Sequence, residues 1–263
     1  MKLGRPPRQP PRRPGARLAT LDRALSKSGV ASRTQARRWI AASRVRLNGR
    51  PCGDPDRWID LDRDRILLDD AALQPAPRVY LALHKPRGVL TTREDPQRRP
   101  TVFDLLPACE RYLFTVGRLD LDSSGLLLLT NDGRFADHVA GPEHGVPKTY
   151  VVKTSRRLSD EELERLRRGV VLKDGPTRPA AVRRLRDPGG RTVLEIILSE
   201  GRNRQVRRMV EALGADVIRL ERTAIGALRL GDLRPGGARP LTPSEVRALL
   251  SSAGATGRAS SRR

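Results

Sequence analysis

The stretch that decides the fold is "GRLDLDSSGLLLLTNDG", Gly117–Gly133. Its four leucines and Thr130 read as a short buried strand, and Asn131-Asp132-Gly133 supplies the turn chemistry that ends it. Arg118, Asp120 and Asp122 stand just before the strand, so two acids lie at the entrance to a core. If that segment is extended, the two carboxylates share one face.

Outward from this stretch, the 263 residues are enough for two modest domains. Lys and Arg number 52 against 30 Asp and Glu, a formal charge of +22. That sign of balance fits a protein that neutralises phosphates and makes nucleic acid the leading partner, without choosing between DNA and RNA. The two cysteines, Cys52 and Cys109, form no CxxC pattern, which argues against a zinc site and a disulfide framework. His84, His138 and His144 lack ligand-like spacing and read as surface or packing residues, so no metal site is expected. No apolar run approaches a membrane span and no signal-type hydrophobic region opens the chain, so a cytoplasmic protein with no membrane partner is expected.

Residues 1–17 hold five prolines, six basic residues and no acid, and read as a disordered basic arm; 251–263 read as a disordered basic tail. From 18 to 70, a first short helix stops near Gly29. Ser32 to Gln35 form a capping box for a second helix with Ala36, Trp39 and Ile40 inward. "RVRLNGR" then alternates into an Asn48-Gly49 hairpin. A Pro/Ala linker over 71–78 leads to a second unit, 79–250. There "VYLALHKPRGVLTT", "KTYVVKT" and "TVLEIILSEG" read as extended pieces, and "SDEELERLRRGVV" as a helix with a Ser159/Glu162 capping box. Strands and helices mix without regular alternation, which predicts an α+β fold. In the helix read from about Asn203, Val206, Met209, Val210 and Leu213 define the apolar face, leaving Arg204, Arg207 and Arg208 on the other side or its edge. Gly214 is read at the C′ position. Gly201 before it permits close backbone approach to a ligand, and the helix N-terminus would favour a phosphate or carboxylate.

The segment "LDRALSKSGVASRTQARRWIAASRVRLNGR" resembles the S4 RNA-binding domain, which implies an RNA-facing groove carrying Arg33, Arg37, Arg38 and Arg46. "VGRLDLDSSGLLLLTNDG", "KTY" at 148–150 and "EGRNRQVRRM" at 200–209, in that order behind an S4-like unit, resemble the bacterial pseudouridine synthases of ribosomal RNA, the RsuA/RluB type. The replacement of a usual threonine of the family by Ser123 or Ser124 is a mild departure that leaves the aspartate motif intact. The resemblance implies a mixed or antiparallel catalytic sheet and conversion of a uridine to pseudouridine without a cofactor. It carries the catalytic aspartate onto Asp120, as nucleophile or proton acceptor at the ribose–base unit. Burial penalises a carboxylate anion and a guanidinium opposes that penalty; Arg207 is the expected partner, with Arg118 in support. Tyr150 is expected beside an extruded base, with a hydroxyl able to assist proton transfer. Arg118, Arg202, Arg204 and Arg208 complete the expected RNA contacts. The implied partner is ribosomal RNA or an assembly intermediate, 23S ahead of 16S, bound by a monomer. Two further readings stay open: an RNA-binding assembly protein without turnover, and a nuclease holding Mg²⁺ on Asp120 and Asp122.

Overall fold

In the computed structural model, which describes residues 17–73, 76–107 and 112–252, the leucine run is strand β9, Ser123–Thr130, buried along its whole length. Leu126 and Leu128 enter one apolar cluster and Leu127 and Leu129 another, so the strand has a core on both faces. That is why it reads as a continuous apolar run. Each of these leucines, fully out of water, contributes about 2 kcal/mol of burial.

The described residues fall into two compact units. The first ends at Val79 and takes in 112–113 and 131–133; the second begins at Tyr80. The first unit runs β1 (Leu18–Thr20), α1 (Leu21–Lys27), α2 (Arg33–Ala41), β2 (Val45–Leu47), β3 (Arg50–Pro51), β4 (Trp58–Asp60), β5 (Ile66–Leu68) and β6 (Ala71–Ala72). Asn48 and Gly49, at φ +52° and +81°, turn β2 into β3 as the hairpin reading requires. Leu21, Leu25, Ala36 and Ile40 are fully or almost fully buried, and Trp39 packs partly against them.

Three expectations need correction here. Only half of the α2 capping box forms, with the Ser32 hydroxyl accepting from Gln35 N–H. Residues 71–72, read as linker, pair with β5 as an edge strand, because the alanines offer an extended backbone to an unpaired ladder. Arg17, assigned to the arm, accepts from Leu61 N–H and pairs with Asp62. Residues 1–16 and 253–263, which carry the rest of the two tail assignments, lie outside the described residues, as does Cys109.

The second unit contains β7 (Tyr80–Lys85), β8 (Phe114–Val116), β9, α3 (Gly133–Ala140, all but its first residue), β10 (Lys148–Thr154), α4 (Asp160–Arg168), β11 (Val171–Leu172) and β12 (Gly175–Pro176). It continues with β13 (Ala181–Arg186), β14 (Val193–Leu198), α5 (Gln205–Glu211), β15 (Val217–Ile225), β16 (Leu228–Arg229), β17 (Ala238–Pro240) and α6 (Pro243–Ser251). Nine strands form one sheet in the order β13-β14-β10-β15-β9-β7-β17, with β16 beside β15 and β8 beside β9. All its pairings are antiparallel except β15 with β9, so the α+β expectation holds as a mixed sheet. The α4 capping box forms in full. Helix α6 runs to Ser251, one residue into the segment assigned to the tail, behind a Thr242/Glu245 capping box.

The parallel contact joins Leu220, Glu221 and Arg222 to Ser123, Ser124 and Gly125. Gly125 sits at φ +109°, and a Cβ there would meet the Arg222 carbonyl oxygen at 2.2 Å. Only glycine lets the two backbones meet, and they meet immediately after the aspartate turn.

Candidate active site

Asp120 stands on a turn, not on an extended segment: Ser123 N–H donates to the Asp120 carbonyl at 3.1 Å, and β9 starts only at Ser123. The condition for a shared strand face of Asp120 and Asp122, an extended segment, is therefore not met. The turn's carbonyls are held by two buried cations. Lys85, at the end of β7 and fully buried, donates from Nζ to the carbonyls of Ser123 at 2.8 Å, Pro86 at 2.9 Å and Leu121 at 3.4 Å. Arg207 donates from Nη2 to the Asp122 carbonyl at 3.2 Å and to Ser123 Oγ at 3.4 Å, and from Nη1 to the Val217 carbonyl at 3.2 Å. Thr91 Oγ1 donates to the Leu119 carbonyl at 2.7 Å and fixes the approach to the turn. Each carbonyl so satisfied removes a way for the loop to deform.

The Asp120 side chain is about one-third exposed, 32%, and its Oδ2 lies 3.8 Å from Arg207 Nε and 3.9 Å from Arg204 Nη1. Arg207 Nε is buried and has no hydrogen-bond partner among the described residues, so its donor is unspent next to the carboxylate. Arg207 was placed by helical periodicity on the open side or its edge, yet it is 6% exposed. Helix α5 begins at Gln205, two residues later than read, and the preceding Arg204 is left-handed at φ +48°, which rotates the side chains that follow. Gly214, at φ +71°, comes two residues after the C-cap Ala212, one position beyond the C′ reading. Burial pushes the Arg207 guanidinium below its usual range, and the adjacent Arg204 adds to this; Asp120 and Asp122 oppose both. Burial likewise pushes Lys85 down to about 8, against the pull of Asp120 and Asp122.

Asp120 opens onto a cleft of about 330 Å³. Arg118, Leu119 and Ser123 line it beside the carboxylate, Tyr150 from β10 lines it on the sheet, and 200–206 forms another wall. Arg118 is exposed at the rim and is not the ion partner of Asp120; Arg204 takes that place beside Arg207. Among the described residues no group of three or more His, Cys, Asp or Glu side chains could hold a metal. Asp120 and Asp122, the carboxylates of the Mg²⁺ nuclease reading, stand on the turn before β9 and not on the strand.

Several arginines expected to face RNA are committed within the protein. Arg33 and Arg37 both donate to Asp22, whose side chain is fully buried, and Arg46 pairs with Asp70 at 2.7 Å. Burial raises the Asp22 pKa, but hydrogen bonds from Thr20, Arg33 and Arg37 outweigh it and leave the carboxyl below its usual range. Arg38 is exposed on α2. Arg202 donates to the carbonyls of Gly175 and Pro176, and Arg208 makes a bidentate pair with Asp174 at 2.7 and 3.1 Å. The sequence reading missed Lys85, although a lysine ending the apolar run "YLALHK" was its visible signal. It also missed Arg222, whose Nε donates to the Leu126 carbonyl at 2.7 Å across the β15–β9 contact.

Residues 79–212 match the model of the RNA pseudouridylate synthase family, and residues 20–59 match the S4 domain. The chain belongs to the RNA pseudouridylate synthase family. Among its relatives is the ribosomal large subunit pseudouridine synthase B of Bacillus subtilis, 39% identical over 88% of this chain and 96% of that one. Another is an uncharacterized RNA pseudouridine synthase of Mycobacterium bovis, 39% identical over 89% and 94%. A crystal structure of a pseudouridylate synthase superposes with a TM-score of 0.64 at 32% identity, over 88% of this chain and 99% of its own. This pseudouridine synthase acts on RNA, and the motifs read from its sequence are the ones that build the cleft. No helix among the described residues is long and apolar enough to cross a membrane.

Proposed function

We propose that this synthase isomerises a uridine of ribosomal RNA, in the large-subunit 23S rRNA, with Asp120 as the catalytic residue. The carrying observation is the Asp120 carboxylate at the mouth of a cleft with two guanidiniums at 3.8 and 3.9 Å and Tyr150 in the wall. The large-subunit target is supported by the relative from Bacillus subtilis, which matches over nearly its whole length.

In the reaction the bond from C1′ to N1 breaks, a bond from C1′ to C5 forms, the proton on C5 passes to water, and N1 takes one proton from water. Atoms and electrons are conserved, so no redox partner enters. Asp120 supplies the anion at the ribose–base unit, as nucleophile or proton acceptor. Arg207, held by three oxygens and with Nε unspent, keeps its charge beside that carboxylate through the reaction, and Arg204 does so from the open side. Tyr150 offers a ring to an extruded base, whose unstacking is the entry cost. Arg118 at the rim and Arg38, with the exposed parts of Arg33, Arg37 and Arg46, neutralise phosphates on the two units. The protein acts as a cytoplasmic monomer on free 23S rRNA or an assembly intermediate.

The test is tritium release from unmodified 23S and 16S rRNA transcripts labelled at uridine C5. Release from 23S and not from 16S is expected, abolished by D120N. Release from 16S alone overturns the target, and release from neither RNA by folded protein overturns the reading.

A further inference from the structure

The Val171–Pro176 hairpin, β11 and β12, is fastened to the wall of the cleft by a network that the isomerisation chemistry does not use. Asp174 at its apex accepts both Nη atoms of Arg208 and lies 3.8 Å from Arg202 Nη1. Arg202 in turn donates to the Gly175 and Pro176 carbonyls, so it grips the hairpin backbone as well as its carboxylate. The same Arg202 is fixed on the cleft side: its N–H donates to Gln205 Oε1 at 3.1 Å, and its Nε lies 3.4 Å from Glu200 Oε2. Glu200, buried, also accepts from Gln205 and from Arg178 N–H. The hairpin and the 200–204 loop are therefore tied to each other by hydrogen bonds and ion pairs, and that loop ends in the left-handed Arg204, whose guanidinium lies 3.9 Å from Asp120.

The outer side of the hairpin is built differently. Val171 is 80% exposed, far more than any other exposed large apolar residue among those described. Lys173 is exposed beside Asp174 and makes no ion pair among the described residues. With Asp174 engaged by Arg208 and Arg202, the exposed lysine is left available to a phosphate.

We propose that this hairpin is an RNA-contacting rim of the cleft, with Lys173 on a phosphate flanking the target uridine and Val171 against a sugar or base. Asp174 is its positioning residue: it ties contact at the rim to the loop that carries Arg204. Arg202 and Arg208 are fasteners of the rim, which revises their expected role as phosphate contacts. The inference rests on the RNA-modifying reading of the same cleft.

Full-length protein is assayed with 23S rRNA transcript, by tritium release for kcat and KM and by filter binding for affinity, at a temperature well below every variant's unfolding midpoint. K173A is expected to raise KM and the dissociation constant about fivefold and to lower the slope of log affinity against log salt by about one phosphate's worth. D174N is expected to lower kcat about tenfold with affinity within about twofold, and D174E to recover most of the loss. A D174N protein that is folded and turns over like wild type removes Asp174's role, and unchanged affinity and salt slope in K173A remove the rim. If wild-type protein releases no tritium, the reading of the reaction fails, whereas the binding measurements on K173A still decide the RNA contact.

Discussion

Replacing Gly125 by alanine tests whether the β15–β9 contact positions the aspartate turn. The new Cβ would stand 2.2 Å from the Arg222 carbonyl oxygen and 2.5 Å from its nitrogen, where 3.0 Å is the closest approach such atoms tolerate. Both obstacles are backbone, so no side chain can swing aside; the strands must part by about 0.8 Å. Holding alanine at φ +109° costs a further 1 to 3 kcal/mol by order of magnitude. The displacement also weakens a parallel pairing only three residues long, at roughly 1 kcal/mol per hydrogen bond. Together these place the penalty near about 4 kcal/mol, among the large single-substitution effects. For a unit of this size that lowers the unfolding midpoint by about 10 °C. Because Ser123 and the Asp122 carbonyl are the groups Arg207 grips, tritium release should also fall by an order of magnitude at temperatures where G125A is fully folded. Thermal unfolding by circular dichroism and the release assay read the two effects. A midpoint within about 3 °C of wild type together with normal turnover would refute the argument from close approach.

Asp120→Asn should abolish tritium release while leaving the unfolding midpoint within about 2 °C, since the side chain is partly exposed and makes only long ion pairs; residual turnover above a few per cent by release assay would count against its assignment. Lys148 is buried, and burial, with Arg222 adding to it, pushes its ammonium down to about 8 from 10.5. The unfolded chain then holds the extra proton between pH 8 and 10.5, so stability rises with pH across that window, by roughly 3 kcal/mol at most. Urea unfolding at pH 7.5, 8.5 and 9.5 should show a smaller rise in K148M than in the parent, and equal slopes would discard the explanation. Asp22→Ala removes a fully buried carboxylate that satisfies two arginines; roughly 3 kcal/mol of stability in the first unit should go with it, seen as faster amide exchange over 18–72. RNA affinity should drop in the same variant, because Arg33 and Arg37 lose the group that aims them.

Residues close together in the chain gave up their meaning readily. The leucine run of β9, the Asn48-Gly49 hairpin and the α4 capping box each depend on local spacing, and each stands where spacing puts it. Arg207 shows where this logic stops. Periodicity assigned it to an open face, but the left-handed Arg204 delays the helix and the side chain is drawn inward by the carbonyls of Asp122 and Val217, 85 and 10 residues away. Lys85 was passed over because a lysine at a strand end ordinarily reaches water. Here it finds carbonyls contributed by a turn more than thirty residues on. Arg202 and Arg208 looked like phosphate ligands because charge can be counted along a chain while its partner cannot.

The amino-acid order alone determined the class of fold, the strand that anchors it, the family and the aspartate most worth testing. Each of these is written in short-range pattern: alternation, caps, turns and ordered motifs that survive without coordinates. Only the tertiary structure decided which cations serve Asp120, which are spent on holding loops, and how the hairpin is fastened to the cleft. Those are outcomes of competition for oxygens among groups distant in sequence, and a guanidinium's choice among them is made by the folded backbone, where desolvation and distance are set together.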